Sequence, residues 1–163
     1  MATHAGHHTA IRVSDIERAA CFYVSALGGQ QRTLPFLLEG ELADAMYRHR
    51  GVRVLICHVG FESGGLELFQ FLEPATRPAA ADLSQTGLLH WAVRVDDVRA
   101  AAAAVEREGG RLVCPVVDWA GHEFAYCEDP DGNVIELAPV GFDGLAPLVF
   151  AYFPDADPDR RGS

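Results

Sequence analysis

Apolar and polar residues alternate at the start of the chain, then change period. Thr9, Ile11 and Val13 share one face of residues 8–13, and His8, Ala10 and Arg12 share the other, as side chains of a strand do. From Ile16 the apolar positions Ile16, Ala19, Ala20, Tyr23 and Leu27 recur at helical spacing. Ser14 and Glu17 form a capping box that predicts the start of this helix, and Gly28-Gly29 predicts its end. Strands are expected near 30–38, 51–59 and 65–72, the last two joined through Glu62-Ser63-Gly64-Gly65, a hairpin signal. Residues 40–47 between them read as a short helix or lid.

The same plan then recurs. His8 to Ala20 returns 82 positions later as His90 to Ala102, with seven of thirteen positions identical, and such a fixed offset reports a duplicated supersecondary unit. In the second copy a strand is expected over 88–95, with Trp91, Val93 and Val95 inward and Trp91 read as core. Asp96 is the expected cap of a helix carrying Val98, Ala101, Ala102 and Val105, ended by Gly109-Gly110. Strands follow near 111–116, 121–127 and 133–138, the last pair joined by the turn Asp129-Pro130-Asp131-Gly132-Asn133. The expected class is α+β: two tandem βαβββ modules forming a curved mixed sheet around a metal-binding cleft. Their bounds are 1–72 and 87–140, with a linker at 73–86 containing Pro74, Pro78, Asp82 and Ser84. Residues 141–163 form an extension with one apolar stretch, Leu145–Phe153, and an acidic end expected to be disordered.

Composition narrows the class of partner. A net charge of −10 with no basic cluster argues against nucleic acid. No stretch approaches the ~18 apolar residues of a membrane span, and no secretory signal is expected from the first residues. Cys21, Cys57, Cys114 and Cys127 show no metal-ribbon or CxxC spacing, so reduced, buried thiols in a cytoplasmic protein are expected. Neither GxGxxG, a phosphate-loop lysine, GxSxG nor CxxCH occurs, so nothing indicates a nucleotide, flavin or haem.

The chemistry-bearing residues sit at matching places in the two copies. His8 and His90 open equivalent strands on the face away from the helices, each beside a small alanine. Glu67 in Leu66-Glu67-Leu68 and Glu136 in Ile135-Glu136-Leu137 turn to that same face, flanked by aliphatic core positions. A carboxylate in such a setting is costly to desolvate without a partner. Two imidazoles and two carboxylates suit one divalent ion: Zn, Fe, Mn, Co or Ni. His7 competes with His8, but the 82-residue register selects His8. Arg12 and Arg94 are candidates either for binding an anionic substrate or for structural salt bridges. His122, Phe124 and Tyr126 alternate in a strand and either line the cleft or pack beneath a lid; Phe69 is placed in the same substrate-binding set. His58 reads as a strand or edge residue, and His4 as part of a loose terminus.

The stretches HTAIRVSDIERAACFYVSALGG, GGLELFQFLEP, LLHWAVRVDDV and EDPDGNVIELAP resemble the vicinal oxygen chelate superfamily over nearly all of residues 7–140. That group contains glyoxalase I, methylmalonyl-CoA epimerase, extradiol dioxygenases and bleomycin-resistance proteins. The resemblance implies metal ligands at His8, His90 and Glu136, with Glu67 as the fourth. Gln70 stands where some epimerases of the group carry a ligand, but strand parity turns Gln70 to the helix side and favours Glu67.

The resemblance further implies a metal-dependent isomerase, epimerase or lyase acting on a small oxygenated substrate. The ion would stabilise a developing enolate or oxyanion, while Glu136 or Glu67 moves a proton at the neighbouring carbon. Without Glu67 in the set, a two-histidine, one-carboxylate site for Fe(II) and ring-cleaving dioxygenation is the alternative. A metal-free protein sequestering a small molecule is the reading from a different class. Dimers are common in the group, so a homodimer is expected.

Overall fold

The computed structural model describes residues 6–77 and 86–158. His4, Asp159 and the linker residues Pro78, Asp82 and Ser84 lie outside them. The first half runs β1 (His8–Arg12), α1 (Ile16–Leu27), β2 (Gln30–Gln31), β3 (Phe36–Glu39), α2 (Glu41–Tyr47), β4 (Arg53–Phe61) and β5 (Gly64–Glu73). The second runs β6 (Trp91–Arg94), α3 (Val98–Arg107), β7 (Arg111–Leu112), β8 (Val117–Trp119), β9 (His122–Glu128) and β10 (Val134–Ala138). A further helix, α4 (Phe142–Tyr152), follows and leaves no residue buried.

The α+β class and the two similar modules stand as expected, and the strands divide into two five-stranded sheets. The first has the order β1-β5-β4-β2 with β3 also on β4; the second has β6-β10-β9-β7 with β8 also on β9. In the first, the strand expected over 30–38 is broken into β2 and β3, both on β4; in the second, the strand expected near 111–116 is shortened to β7, and β8 follows beyond it, both on β9. β1 runs parallel to β5 and β6 parallel to β10, while the remaining pairs are antiparallel. β1 and β6 are therefore both edge strands, and helices join the halves. α1 packs against α3, and one apolar core includes Tyr23, Leu66 and Leu68 from the first half with Val105, Ile135 and Leu137 from the second.

Both helix starts fall one residue later than the spacing predicts. Asp15, not Ser14, caps α1 by accepting from the Arg18 N–H at 3.0 Å, and Asp97, not Asp96, caps α3 by accepting from the Ala100 N–H at 2.9 Å. Asp15 and Asp97 are the repeat-equivalent pair. Ser14 is drawn off by the other half: its hydroxyl and N–H both bond the Asp131 carboxylate. Gly28 closes α1 in the left-handed region at φ 70°. Gly110 allows α3 to meet β9, since a Cβ there would lie 2.4 Å from the Glu128 carbonyl oxygen.

The Asp129–Asn133 turn of the second half docks on α1 of the first. Asp129, buried at 3% exposure, accepts from the Tyr23 hydroxyl at 2.7 Å and from the Asn133 and Asp131 N–H groups. Arg18 pairs with Asp131 at 2.7 Å, and the Asn133 amide donates to the Arg12 carbonyl. The mirror contact is Arg94 with Glu62 of the β4–β5 turn, at 2.6 Å.

Of the cysteines, expected to be buried thiols, Cys57 and Cys127 are buried, Cys114 is partly so and Cys21 is exposed; all four are free. Cys21 occupies the outer face of α1, where a thiol is not needed for packing. Burial pushes the Cys127 thiol up to about 11. No helix among the described residues is long and apolar enough to cross a membrane.

Candidate functional site

Register places the four candidate ligands. Glu67 lies beside Ala10 on the parallel neighbour β1, and Glu136 lies beside Ala92 on β6. The alanines leave space, so the histidine two residues earlier reaches each carboxylate. His8 Nε2 lies 3.1 Å from Glu67 Oε2, and His90 Nε2 lies 3.1 Å from Glu136 Oε2. The same contact thus forms twice, once on each sheet. Glu67 and Glu136 expose 26% and 15% of their side chains, so both pairs remain reachable.

The antiparallel neighbours supply a second contact to each carboxylate. His58 on β4 is directly opposite Glu67, with its Nε2 2.9 Å from Glu67 Oε1. Tyr126 on β9 is directly opposite Glu136 and hydrogen-bonds it. Burial, followed by the Glu136 charge and that hydrogen bond, raises the Tyr126 hydroxyl above its ordinary range. The Tyr126 ring also meets His90 edge-on, with centroids 5.3 Å apart. His7 Nδ1 lies 2.6 Å from His8 Nδ1, while His90 Nδ1 is buried without a partner. Glu136 is therefore the polar group engaging the His90 ring.

Whether these residues suit a divalent ion is a question of donor type and spacing. Two ligands bound about 2.1 Å from one ion at adjacent positions lie roughly 3 Å apart, so each His–Glu contact matches such a pair. Imidazole nitrogen with carboxylate oxygen is also the donor set of a transition metal or zinc. Each half, however, pairs one candidate histidine with one candidate carboxylate. Among the described residues, no three His, Cys, Asp or Glu side chains converge on one ion within a single chain. The pairs fit a metal, and the full set requires the pairs to be brought together.

The remaining candidates fall into separate places. Arg12 and Phe69 line a cavity of about 660 Å³ with Tyr47, Phe71, Arg77 and Asp131. Phe69 also packs with Tyr47 and Phe71 over the small apolar cluster that α2 covers through Ala43. Arg94 is held by Glu62 and lines a different cavity of about 860 Å³, which also includes His8 and His90. Phe124 is buried against the Trp119 ring, and His122 pairs across from Trp119 at the end of β9, so neither is brought to a His–Glu pair. Gln70 Oε1 accepts from the Ile16 N–H at 3.0 Å, at the start of α1. Trp91 is partly buried between Tyr23 and Phe61.

His58 and His7 are the contacts that sequence reasoning missed. The hairpin held the signal for His58. Its loop is Glu62-Ser63, with Phe61 paired to Gly64, and counting back from that closure sets His58 against Glu67.

Comparison with known proteins agrees with this architecture. The family profile of the Glyoxalase/Bleomycin resistance protein/Dioxygenase superfamily matches residues 6–137. The uncharacterized protein YaeR of Escherichia coli is 32% identical over 133 residues, covering 80% of this chain and 92% of the relative. A probable lactoylglutathione lyase of Vibrio cholerae is 28% identical over 141 residues, covering 84% and 91%. A glyoxalase family protein from Bacillus cereus superposes with a TM-score of 0.76 at 22% identity, over 85% of this chain and 95% of that one. The trypanothione-dependent glyoxalase I of Leishmania major superposes at 0.61, also at 22% identity, over 94% and 98%. These last two similarities bear on the fold.

Proposed function

Because the chain belongs to the Glyoxalase/Bleomycin resistance protein/Dioxygenase superfamily, we propose that it is a divalent-metal-dependent isomerase or lyase of the glyoxalase type. Its substrate would be a small molecule with a proton to move beside a carbonyl or hydroxyl carbon. The observation that carries this reading is the repeated pair, His8 with Glu67 and His90 with Glu136, at 3.1 Å in both modules. The similarity to a probable lactoylglutathione lyase supports the class of chemistry.

His8, Glu67, His90 and Glu136 would hold the ion, which when bound polarises a substrate oxygen as a Lewis acid. Glu67 or Glu136 takes a proton from the neighbouring carbon and returns it, work suited to a carboxylate at a partly desolvated site. Arg12 and Phe69 line the 660 Å³ cavity on the same sheet face as Glu67 and would receive the rest of the substrate, an anionic or unsaturated group by their chemistry. Since the pairs do not meet within one chain, we infer that they meet across a homodimer, the first pair of one copy against the second pair of the other. The free cysteines fit a reducing compartment, which we take to be the cytoplasm.

Metal titration tests this. After chelation and dialysis, the protein should take up about one Co²⁺, Ni²⁺ or Zn²⁺ per chain, and proton exchange on a 2-hydroxycarbonyl or thiohemiacetal substrate should return only with the ion. A chain that binds such compounds equally well with and without metal, and never exchanges their protons, would instead be a sequestering protein.

A further inference from the structure

We propose that His58, backed by Thr33, is a positioning residue that holds the outer oxygen of Glu67 so that the other oxygen faces the ion. The inference rests on the metal reading above and deepens it. Glu67 has two oxygens with different partners: Oε2 meets His8 Nε2 at 3.1 Å, and Oε1 meets His58 Nε2 at 2.9 Å. A carboxylate only accepts, so His58 Nε2 carries the proton in that contact. The imidazole is then an acceptor at Nδ1, and Thr33 Oγ1 lies 3.1 Å from it.

Thr33 is itself held in place. Its Oγ1 accepts from the His58 N–H at 3.0 Å, and its carbonyl accepts from the Cys57 thiol at 3.2 Å. The hydroxyl proton is left free to point at Nδ1. One directional chain results: Thr33 O–H to His58 Nδ1, then His58 Nε2–H to Glu67 Oε1. The Phe36 ring lies beside the imidazole, with centroids 5.8 Å apart.

The consequence is a carboxylate fixed to one-oxygen ligation. With Oε1 occupied from the sheet side, Glu67 cannot swing to present both oxygens, and Oε2 is kept beside His8. Tyr126 takes the same strand position opposite Glu136, so both modules brace their carboxylate from the antiparallel neighbour. They use different groups: an imidazole tied to a threonine in the first, a phenol in the second. Hydrogen bonds behind a metal ligand typically change affinity by about 10–100-fold.

The test compares His58→Phe, His58→Gln and Thr33→Val in the full chain. Phe keeps the ring and removes both nitrogens; Gln places an N–H donor near the position of Nε2; Val removes the Thr33 hydroxyl while keeping its shape. Co²⁺ affinity and the visible spectrum of the Co²⁺ protein are measured, with thermal unfolding of the metal-free forms as the folding control. His58→Phe should bind Co²⁺ about 10–100-fold more weakly with the spectrum retaining its intensity. His58→Gln should recover most of that loss, and Thr33→Val should show a smaller loss in the same direction. If His58→Phe fails to fold, the Thr33→Val result decides alone. Equal or tighter binding by His58→Phe, or by Thr33→Val where that variant decides, overturns the role of His58. So does a spectrum reporting a changed ligand number, which would make His58 a ligand itself. A wild-type chain that takes up no Co²⁺ overturns the metal reading as well, and is distinct from either result.

Discussion

Glu136→Gln and Glu67→Gln should each lower kcat/KM by about 10²–10⁴-fold, the range lost when a positioned acid–base group is removed. Gln keeps the shape and one oxygen but abolishes the charge, so packing between Ile135 and Leu137, or between Leu66 and Leu68, is undisturbed. In both variants the ion loses an anionic ligand, and in one of them the substrate carbon also loses its base. Adding excess Co²⁺ separates them: the variant that has lost only a ligand recovers at high metal, and the one that has lost the base does not. The unfolding midpoint of both metal-free variants should stay close to wild type. A variant pair with full activity at limiting metal would contradict the assignment of either glutamate.

Asp129→Ala should cost about 3–5 kcal/mol of stability, because a buried donor left without an acceptor costs about 1–3 kcal/mol and the part-buried donors, which water reaches, cost less. Four donors depend on this carboxylate: the Tyr23 hydroxyl at 2.7 Å, the Asp131 and Asn133 N–H groups at 2.9 and 2.8 Å, and the Asn133 amide at 2.8 Å. The loss should fall on the joint between modules, since Tyr23 belongs to α1 and Asp129 to the β9–β10 turn. Tyr23→Phe should cost less, about 1 kcal/mol, because Asp129 Oδ2 keeps the Asn133 amide as a donor. A pH signature accompanies it. Burial first, then the Asp129 charge, raises the Tyr23 hydroxyl well above its ordinary value of 10.0. A raised folded value means the contribution is fully present below the unfolded value and is lost as pH climbs through the folded one. Alkaline destabilisation above pH ~10 should therefore be shallower in Tyr23→Phe than in wild type. Denaturant unfolding between neutral and alkaline pH measures both effects.

Much of this arrangement was legible from the repeat. Matching strand starts put His8 and His90 on the open face, and the Leu-Glu-Leu and Ile-Glu-Leu parity turned Glu67 and Glu136 to the same side. Period-two alternation survives in the structure because one face must stay against the helices. The missed details share a cause: they depend on partners far away in sequence. Ser14 is as good a cap as Asp15, and only Asp131, 117 residues on, draws it away. His58 stood unread because its role depends on where the Glu62-Ser63 loop closes, and shifting that closure by one residue changes its partner. Arg94 could be read either way until Glu62 took it, whereas Arg12 stayed at a cavity. Convergence of the two His–Glu pairs was the furthest from reach. Alternation tells which face a residue occupies and says nothing of whether two such faces close on each other in one chain or in two.

Mixing two disabled chains tests that last point. One carries His8→Ala with Glu67→Ala; the other carries His90→Ala with Glu136→Ala. Each alone should bind no Co²⁺ at the site. After the subunits exchange, half the dimers should be mixed, and each should hold one intact site of its two, restoring about one quarter of the wild-type metal and activity. No recovery on mixing, with both chains folded and exchanging, would mean that the four ligands do not meet between copies.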